Sequence, residues 1–274
     1  MTLVPMAPLL ADANARGRAV AGLVCLGWED ARAYVAAAGD LGVPVILQAG
    51  PSARAHTPLP VLGAMFRALA ADADVPVAAH LDHGADLAEC ERAIEAGFTS
   101  VMFDGSRLRF AENVARTAAV AEAARGAGAS TEGELGFVGY VDGEPSVGTD
   151  PAEAARFARD TGIDALAVSV GNVHLRRAAG AGLDEGRLRA IEAATPVPLV
   201  IHGGSGVVPA DRLRLARTTS VAKFNVGTEL RQAFGAALRA ALAADPDHFD
   251  RVAILAAVEP TLRRAAASVL RSMG

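Results

Sequence analysis

Short apolar runs rich in valine, isoleucine and alanine alternate along this chain with longer amphipathic stretches. Such alternation is typical of βα units on a parallel sheet. Strands of that kind are buried on both faces, so they read as continuous apolar runs rather than as alternating ones. The predicted strands are Val20–Leu26, Pro44–Gln48, Val77–Leu81, Ser100–Asp104, Ala129–Glu134, Ala165–Val170, Pro198–His202 and Val221–Asn225.

Helical patterns fill most of the spaces between these runs. The start of one is well marked, because Asp150 can cap a helix whose first position is Pro151. Two further patterns, Phe249–Ala257 and Pro260–Arg271, follow the last unit. The other predicted helices are Trp28–Gly39, Leu87–Ala96, Phe110–Arg125, Ala152–Thr161, Leu183–Ala194, Ala210–Thr218 and Glu229–Ala243.

Eight strand-like runs in 274 residues, with no linker-like segment between them, favour a closed (β/α)8 barrel, the TIM barrel. The extra helical patterns near the end would lie outside the barrel as C-terminal helices. We therefore expect one α/β domain over residues 1–274. An open, doubly wound sheet is the alternative architecture.

Composition excludes several classes of protein. An apolar fraction of 51% is too high for a disordered chain, and no uncharged apolar run reaches the ~18 residues of a membrane span. The first twenty residues carry Asp12, Arg16 and Arg18, which indicates no secretory signal. Two cysteines form no framework, so we expect a reduced, cytoplasmic setting. A net charge of −5 argues against a nucleic-acid partner.

Three of the six histidines lie at or just past predicted strand ends, where barrel enzymes place their active sites. His83 follows the third strand, His174 the sixth and His202 the seventh. Three imidazoles that converge from three strands would suit a catalytic zinc ion, which keeps a fourth position open for water or substrate. The alternative is that they only form hydrogen bonds at strand ends.

Carboxylates accompany these histidines. Asp82 precedes His83 and could act as a general acid or base beside a metal, or could merely orient a histidine. Glu132 and Glu134 share one strand face, and two buried carboxylates need hydrogen bonds or a cation, which zinc would supply. His80 lies deeper on the face of Asp82, and we expect a structural role for it.

Glycine-rich loops follow the seventh and eighth strands, where barrel enzymes commonly bind phosphate through backbone N–H groups. Tight turns also need glycine, so this pattern alone is weak. Gln48, at the end of the second strand, joins the expected substrate-binding set. The loop residues in that set are Gly203, Gly204, Ser205, Asn225, Val226, Gly227 and Thr228.

Only one of the 26 basic residues is a lysine, Lys223. An enzyme that works through a Schiff base needs a lysine in its active site. Lys223 shares a strand face with Asn225 but lies two residues, ~6–7 Å, deeper in the barrel. This placement points Lys223 toward the packed interior and disfavours imine chemistry.

Seven motifs in a fixed order give the chain its resemblance to a known family: it resembles the class II, zinc-dependent ketose-bisphosphate aldolases, which cleave fructose or tagatose 1,6-bisphosphate. The resemblance extends from about Val20 to Phe234. The motifs are Pro44–Gln48, His80–Gly84, Val101–Ser106, Glu132–Gly136, Gly171–His174, His202–Gly206 and Asn225–Leu230.

The resemblance implies roles for individual residues. Asp82 matches the acid/base that handles the C4 hydroxyl, and Asp142 matches a mobile-loop carboxylate, for which Glu144 is a rival. It also implies a dihydroxyacetone-phosphate donor that reacts through an enediolate, a monovalent cation near its phosphate, and a homodimer or homotetramer. The implied zinc ligands are His83, His174 and His202, with Glu134 able to approach the metal; the implied donor-binding residues are Gly203, Gly204, Ser205, Asn225 and Thr228.

Some positions depart from the family pattern. Val24 stands where many members have asparagine, Leu175 where glycine is usual, and Gly227 where some have aspartate. We therefore expect an altered substrate preference. Two alternatives remain: a non-catalytic, aldolase-like subunit or sugar-phosphate sensor, and another divalent-metal lyase or isomerase on the same scaffold. The anchor for a second phosphate stays open among Arg54, Arg107, Arg109 and Arg263.

Overall fold

Eight parallel strands close into a barrel in which each strand pairs with its neighbours in sequence and β8 pairs with β1. The computed structural model describes residues 3–141, 143–178, 180 and 182–274. The closed sheet confirms the predicted TIM barrel. The strands are β1 (Val20–Val24), β2 (Val45–Ala49), β3 (Val77–Gly84), β4 (Ser100–Phe103), β5 (Ser130–Leu135), β6 (Ala165–Val168), β7 (Leu199–Ile201) and β8 (Val221–Val226).

Helices surround this barrel, and every helix predicted between strands is present with small shifts of its ends. Three others were not predicted: α1, α3 and α4. Helix α1 precedes the first strand and has no capping side chain, whereas α3 and α4 share one connection and are separated by only two residues. The helices are α1 (Met6–Ala15), α2 (Trp28–Leu41), α3 (Pro51–His56), α4 (Leu59–Ala71), α5 (Leu87–Glu95), α6 (Phe110–Gly126), α7 (Pro151–Thr161), α8 (Glu185–Ala194), α9 (Pro209–Thr218), α10 (Thr228–Ala244) and α11 (Arg251–Arg271).

The C-terminal segment forms one helix, α11, where the sequence predicted two separated before Pro260. A proline inside a helix removes one hydrogen bond and usually kinks or ends the helix. Here Val258, Leu262 and Ala266 are fully buried on one face of α11, which packs against α2 and α10. Burial of that face maintains the helix across the proline.

Helix α1 covers the amino-terminal end of the barrel. Its Met6 and Leu10 are fully buried and belong to one apolar cluster with inward-facing residues of the strands, such as Ile46 and Val200. That end is therefore packed, which leaves the carboxyl end as the open one. Among the described residues, no helix is both long enough and apolar enough to cross a bilayer.

Gly22 on β1 makes room for polar side chains in the interior. A Cβ atom at this position would lie only 1.7 Å from Oε1 of Gln48 and 3.0 Å from Oδ1 of Asn225. Only glycine permits such close approach without movement of these neighbours. The missing side chain of Gly22 thus allows Gln48 and Asn225 to make the interior polar just below the carboxyl end of the barrel.

Candidate active site

The three histidines predicted at strand ends lie together at the open end of the barrel. His83 is the second-to-last residue of β3 and has a positive φ of 54°. His174 follows β6, and His202 follows β7 directly. Each offers a ring nitrogen, and these nitrogens lie within 4.8 Å of one another. Three ring nitrogens grouped in this way could hold one metal ion.

Carboxylates fix two of the three rings. Nδ1 of His83 donates to Oδ2 of Asp104 at 2.8 Å, and Nε2 of His202 donates to Oε1 of Glu132 at 2.9 Å. The opposite nitrogens, Nε2 of His83 and Nδ1 of His202, remain for a ligand. Metal-binding histidines commonly donate their second N–H to a carboxylate in this way.

The site fits a metal ion by its own geometry. Oε2 of Glu134 and Nδ1 of His202 are buried, lack hydrogen-bond partners among the described residues and lie 3.7 Å apart. Buried polar atoms left in that state are costly unless a cation or water satisfies them. His83, Asp104 and Glu134 form a second group of ligand atoms within the same limit. Imidazole and carboxylate together suit a divalent transition metal.

Electrostatics at the site agree with cation binding. Burial raises the pKa of Glu134 to about 7. Burial, together with His202 and His83, lowers the pKa of His174 to about 3, so this ring is neutral and able to act as a ligand. Burial also opposes charge on His83, but the carboxylates of Asp82 and Asp104 outweigh it and raise the pKa of His83 to about 10. The carboxylates thus favour positive charge at this point.

Lys223 supplies the countercharge that we expected zinc to provide for Glu132. Its Nζ lies 2.6 Å from Oε2 of Glu132, and both side chains are fully buried. Burial raises the pKa of Glu132, but Lys223 and the His202 hydrogen bond outweigh this effect and hold the pKa well below its usual range. Lys223 also donates to His80, whose other ring nitrogen bonds to Ser100. The interior positions expected for Lys223 and His80 are therefore the ones observed.

Asp82 lies beside the histidines at the base of the cavity. Its Oδ1 accepts a hydrogen bond from Nδ2 of Asn225 at 3.2 Å. Burial raises the pKa of Asp82, but His83, His202 and Lys223 together lower it below its ordinary value. The carboxylate is thus ionised, and it is held in place by a residue of β8.

A cavity of about 320 Å³ opens above these groups. It is formed partly by expected residues and partly by others. Gln48, Gly204 and Val226 were expected to bind substrate but are buried and do not line the cavity. Two of the expected metal ligands, His202 and Glu134, are also buried and do not line it. The expected residues that do line it are Asp82, His83, His174, Gly203, Ser205, Asn225, Gly227 and Thr228.

The two glycine-rich loops meet at the beginning of α10. Gly203 has a positive φ of 64° and leads into a single 3₁₀ turn, Gly204–Gly206. Oγ of Ser205 accepts from the backbone N–H of Glu229 at 3.3 Å, which joins this turn to the first turn of α10. Backbone N–H groups at a helix N-terminus attract anions, so this corner suits a phosphate.

Sequence reasoning missed Arg231, which is the only arginine or lysine among the described residues that line the cavity. Its Nε is buried and has no hydrogen-bond partner among the described residues. Arg231 also lines a neighbouring cavity of about 520 Å³ beside Trp28 and Phe234. The sequence feature that could have revealed Arg231 is its position three residues after Thr228, on the same face of a helix that begins in the site.

The four arginines considered for a second phosphate do not line the cavity. Arg54 donates to Glu89 and to the backbone carbonyls of Ala49, Asp82 and His83. Arg263 pairs with Asp40. Arg54 and Arg263 therefore have structural roles. Neither Arg107 nor Arg109 reaches the cavity wall.

The glycine-rich loop after β5 covers one side of the site. Tyr140 from this loop stacks on His174 with ring centroids 5.0 Å apart, and it lines the cavity. Glu144 pairs with Arg107, whose guanidinium lies 4.3 Å from the centroid of the Phe137 ring. Asp142, the expected loop carboxylate, lies outside the described residues.

A buried histidine cluster at the carboxyl end of a closed βα barrel is the kind of site that metal-dependent barrel enzymes use. Residues 4–274 match the family model described as fructose-bisphosphate aldolase class-II. Two relatives, the probable fructose-bisphosphate aldolase of Bacillus subtilis and the fructose-bisphosphate aldolase of Geobacillus stearothermophilus, are each 37% identical, with 100% of this chain and 98% of each relative covered.

Solved structures agree. The YdjI aldolase from Escherichia coli K12 superposes with a TM-score of 0.86 at 29% identity, over 99% of this chain and 97% of that one. A putative fructose-1,6-biphosphate aldolase from Coccidioides immitis gives 0.84 at 27% identity, over 97% and 96%. The chain belongs to the class II fructose-bisphosphate aldolase family and is an aldolase, a lyase of carbon–carbon bonds. The family is generally metal-dependent, in accord with the grouped ligands.

The histidine cluster predicts stabilisation by a bound metal. A ligand present at 100 times its Kd adds about 2.7 kcal/mol of stability, so saturating Co²⁺ should raise the Tm of the metal-free protein by roughly 5–10 °C. His174→Ala should abolish most of that rise, whereas the exposed His56 gives a matched control, His56→Ala, that should keep it. Thermal unfolding with and without Co²⁺ measures both, and an undiminished rise in His174→Ala would contradict the site.

Proposed function

We propose that the protein is a zinc-dependent aldolase that cleaves or forms a ketose phosphate, with dihydroxyacetone phosphate as the donor half. The observation that carries this proposal is one cavity in which His83, His174 and an ionised Asp82 face the N-terminus of α10. His202 is grouped with the other two histidines just below the cavity wall, beside Oε2 of Glu134, which has no hydrogen-bond partner among the described residues. Zinc, when held by His83, His174 and His202 with Glu134 nearby, would act as a Lewis acid toward the donor carbonyl.

The donor phosphate belongs at the corner formed by the two glycine-rich loops. Gly203, Ser205, Gly227 and Thr228 line the cavity there, and α10 begins at Thr228. Backbone N–H groups and the helix dipole favour the phosphate charge, and the absence of side chains at the glycines lets the phosphate approach the backbone. Gln48, Gly204 and Val226 would support this wall from behind. The monovalent cation that the family resemblance implies would lie near the same corner.

Asp82 is the base that this geometry offers for cleavage. As the C3–C4 bond breaks, its carboxylate would take the proton of the C4 hydroxyl, and Asn225 keeps that carboxylate directed into the cavity. A second carboxylate is needed for proton exchange at the donor carbon, and Asp142 remains our proposal for it. Glu144 is the weaker candidate, because Arg107 already binds it.

The aldehyde half would extend toward Arg231. Val24, Ser52 and Arg231 line the cavity on the side of β1 and β2, away from the loop that carries Tyr140. The guanidinium of Arg231, whose buried Nε has no hydrogen-bond partner among the described residues, suits an anionic group at the far end of this half. The wall is otherwise altered: a Cβ at Gly227 would lie 3.0 Å from Cγ2 of Val24, so valine and glycine accommodate each other. These changes support a shifted substrate preference.

Imine chemistry has little structural support. Lys223 does not line the cavity, and its ammonium is engaged by Glu132 and His80. Trapping with borohydride in the presence of substrate would test for it. The closed barrel supports the proposal of a single domain over residues 1–274, and we retain a homodimer or homotetramer and a cytoplasmic location as proposals.

Asp82→Asn separates bond cleavage from donor activation. The variant should lose about 10²–10⁴-fold in the rate of C–C cleavage, since general-base catalysis contributes on that order. Exchange of the donor C–H proton with solvent should fall far less, because Asp82 does not act on that carbon. Both rates are measured on metal-replete protein. A variant that cleaves at the wild-type rate would overturn the role of Asp82, and wild-type protein with neither activity would overturn the proposed function.

Arg231→Met tests the anionic end of the aldehyde half. Loss of hydrogen bonds to a charged group is worth about 1.5–3 kcal/mol, so the KM of a substrate with a phosphate there should rise roughly 10–150-fold. With an aldehyde that lacks an anionic end, the two proteins should differ far less. The exposed Arg239 lies on the same helix, and Arg239→Met is the control. An equal loss with both kinds of aldehyde would contradict the assignment.

A further inference from the structure

The only lysine of the chain lies inside the barrel, below the candidate metal site. Nζ of Lys223 is 2.6 Å from Oε2 of Glu132 and 3.3 Å from Nε2 of His80, and all three side chains are fully buried. The register between β7 and β8 shifts at this point, so Ala222 is an extra residue that places Lys223 opposite Val200. A buried ion pair seldom stabilises a fold more than apolar residues would, so it raises the question of another role.

The ammonium group fixes the direction of every hydrogen bond around it, because it can only donate. Nε2 of His80 must therefore accept from Lys223, and Nδ1 of His80 donates to Oγ of Ser100 at 2.7 Å. Oγ of Ser100 in turn donates to Sδ of Met6. On the other side, the ammonium holds Oε2 of Glu132, which leaves Oε1 for His202.

This second oxygen determines which nitrogen of His202 carries its hydrogen. Oε1 of Glu132 is 2.9 Å from Nε2 of His202 and can only accept, so Nε2 carries the hydrogen. Nδ1 then has a free lone pair, and it is the nitrogen that faces Glu134. The backbone is fixed as well, since Nδ2 of Asn172 donates to the carbonyl of His202 at 3.0 Å.

We propose that Lys223 is a positioning residue for the metal: by holding Glu132 it keeps the hydrogen of His202 on Nε2 and presents Nδ1 to the ion. The inference rests on the proposed metal site. Lys223 touches neither substrate nor metal, and it acts through Glu132 and His202. An imine-forming lysine reacts with the substrate through its amine, whereas Lys223 acts as a buried hydrogen-bond donor to Glu132.

A glutamine at position 132 exposes this dependence, because a carboxamide has one accepting end and one donating end. In Glu132→Gln the ammonium of Lys223 requires the carbonyl oxygen of the amide. The amide N–H₂ must then face Nε2 of His202, which is forced to accept, and the hydrogen moves to Nδ1, where it blocks the metal. In the double variant Glu132→Gln with Lys223→Met, the amide is free to turn. Its oxygen can accept from Nε2 of His202 while its N–H₂ donates to His80.

The experiment measures the Kd of Co²⁺ for four full-length proteins by competition with a chromophoric chelator. The proteins are wild type, Glu132→Gln, Lys223→Met and the double variant. Loss of a histidine-orienting partner commonly weakens metal binding 10–100-fold, so Glu132→Gln should bind at least tenfold more weakly than wild type. The double variant should bind at least tenfold more tightly than Glu132→Gln. If Lys223 and Glu132 only stabilised the fold, the double variant should instead bind Co²⁺ most weakly of the four proteins.

Imidazole ¹⁵N spectra of the metal-free proteins give an independent readout. His202 should carry its hydrogen on Nε2 in wild type and in the double variant, and on Nδ1 in Glu132→Gln. A double variant that binds no better than Glu132→Gln, or a hydrogen that stays on Nε2 throughout, would overturn the proposal. Aldolase activity and metal binding of wild type are recorded in parallel, so failure of the proposed function shows itself there first.

Lys223→Arg and Lys223→Met decide the matter if Glu132→Gln does not fold. Lys223→Arg keeps a donating cation beside Glu132, so the Co²⁺ affinity of this variant should stay within about tenfold of wild type. Lys223→Met removes the cation that holds Glu132, and this variant should bind Co²⁺ more than tenfold more weakly. Equal affinities of the two variants would also overturn the proposal.

Discussion

The hydrogen bond from Nε2 of His202 to Glu132 joins two regions of very different character. On one side is the barrel interior, where the fully buried side chains of Glu132, Lys223 and His80 contact one another. On the other side is the candidate metal site, where Nδ1 of His202 and Oε2 of Glu134 have no hydrogen-bond partner among the described residues. Because Nε2 of His202 donates to Glu132 in the interior, its Nδ1 keeps a lone pair at the site above, and a lone pair is what a cation needs.

Barrel closure makes that bond available. Glu132 is on β5, His202 follows β7 and Lys223 is on β8, so the three groups are brought together only by the curvature of the closed sheet. Packing by α1 closes the amino end, and Gly22 leaves room for Gln48 and Asn225 beneath the cavity. Asn225 then directs Asp82, so the same interior polar layer orients both a metal ligand and the proposed base.

Prediction from the sequence succeeded where one strong signal acts alone. Strands buried on both faces tend to be continuous apolar runs, and most of the eight are; β5, Ser130–Leu135, is largely polar and was recognised by its place in the alternation of strands and helices. The histidines at the strand ends followed from the barrel hypothesis. Helices α1, α3 and α4 escaped notice because α1 precedes the first strand and α3 and α4 share one connection with two residues between them, so none fits the pattern of one helix between two strands. Arg231 escaped because its importance depends on α10 beginning inside the cavity. The partner of Glu132 could not be read from spacing, since Lys223 is distant along the chain and on a non-adjacent strand.

Metal binding depends on which nitrogen of His202 faces the ion, and diffraction can observe this directly. Crystals grown with Zn²⁺ and measured at the zinc absorption edge should show one anomalous peak about 2.0–2.1 Å from Nδ1 of His202 and at similar distances from His83 and His174. The hydrogen bond between Nε2 of His202 and Glu132 should persist. A peak bonded to Nε2, or one that lies away from His202, would contradict the account.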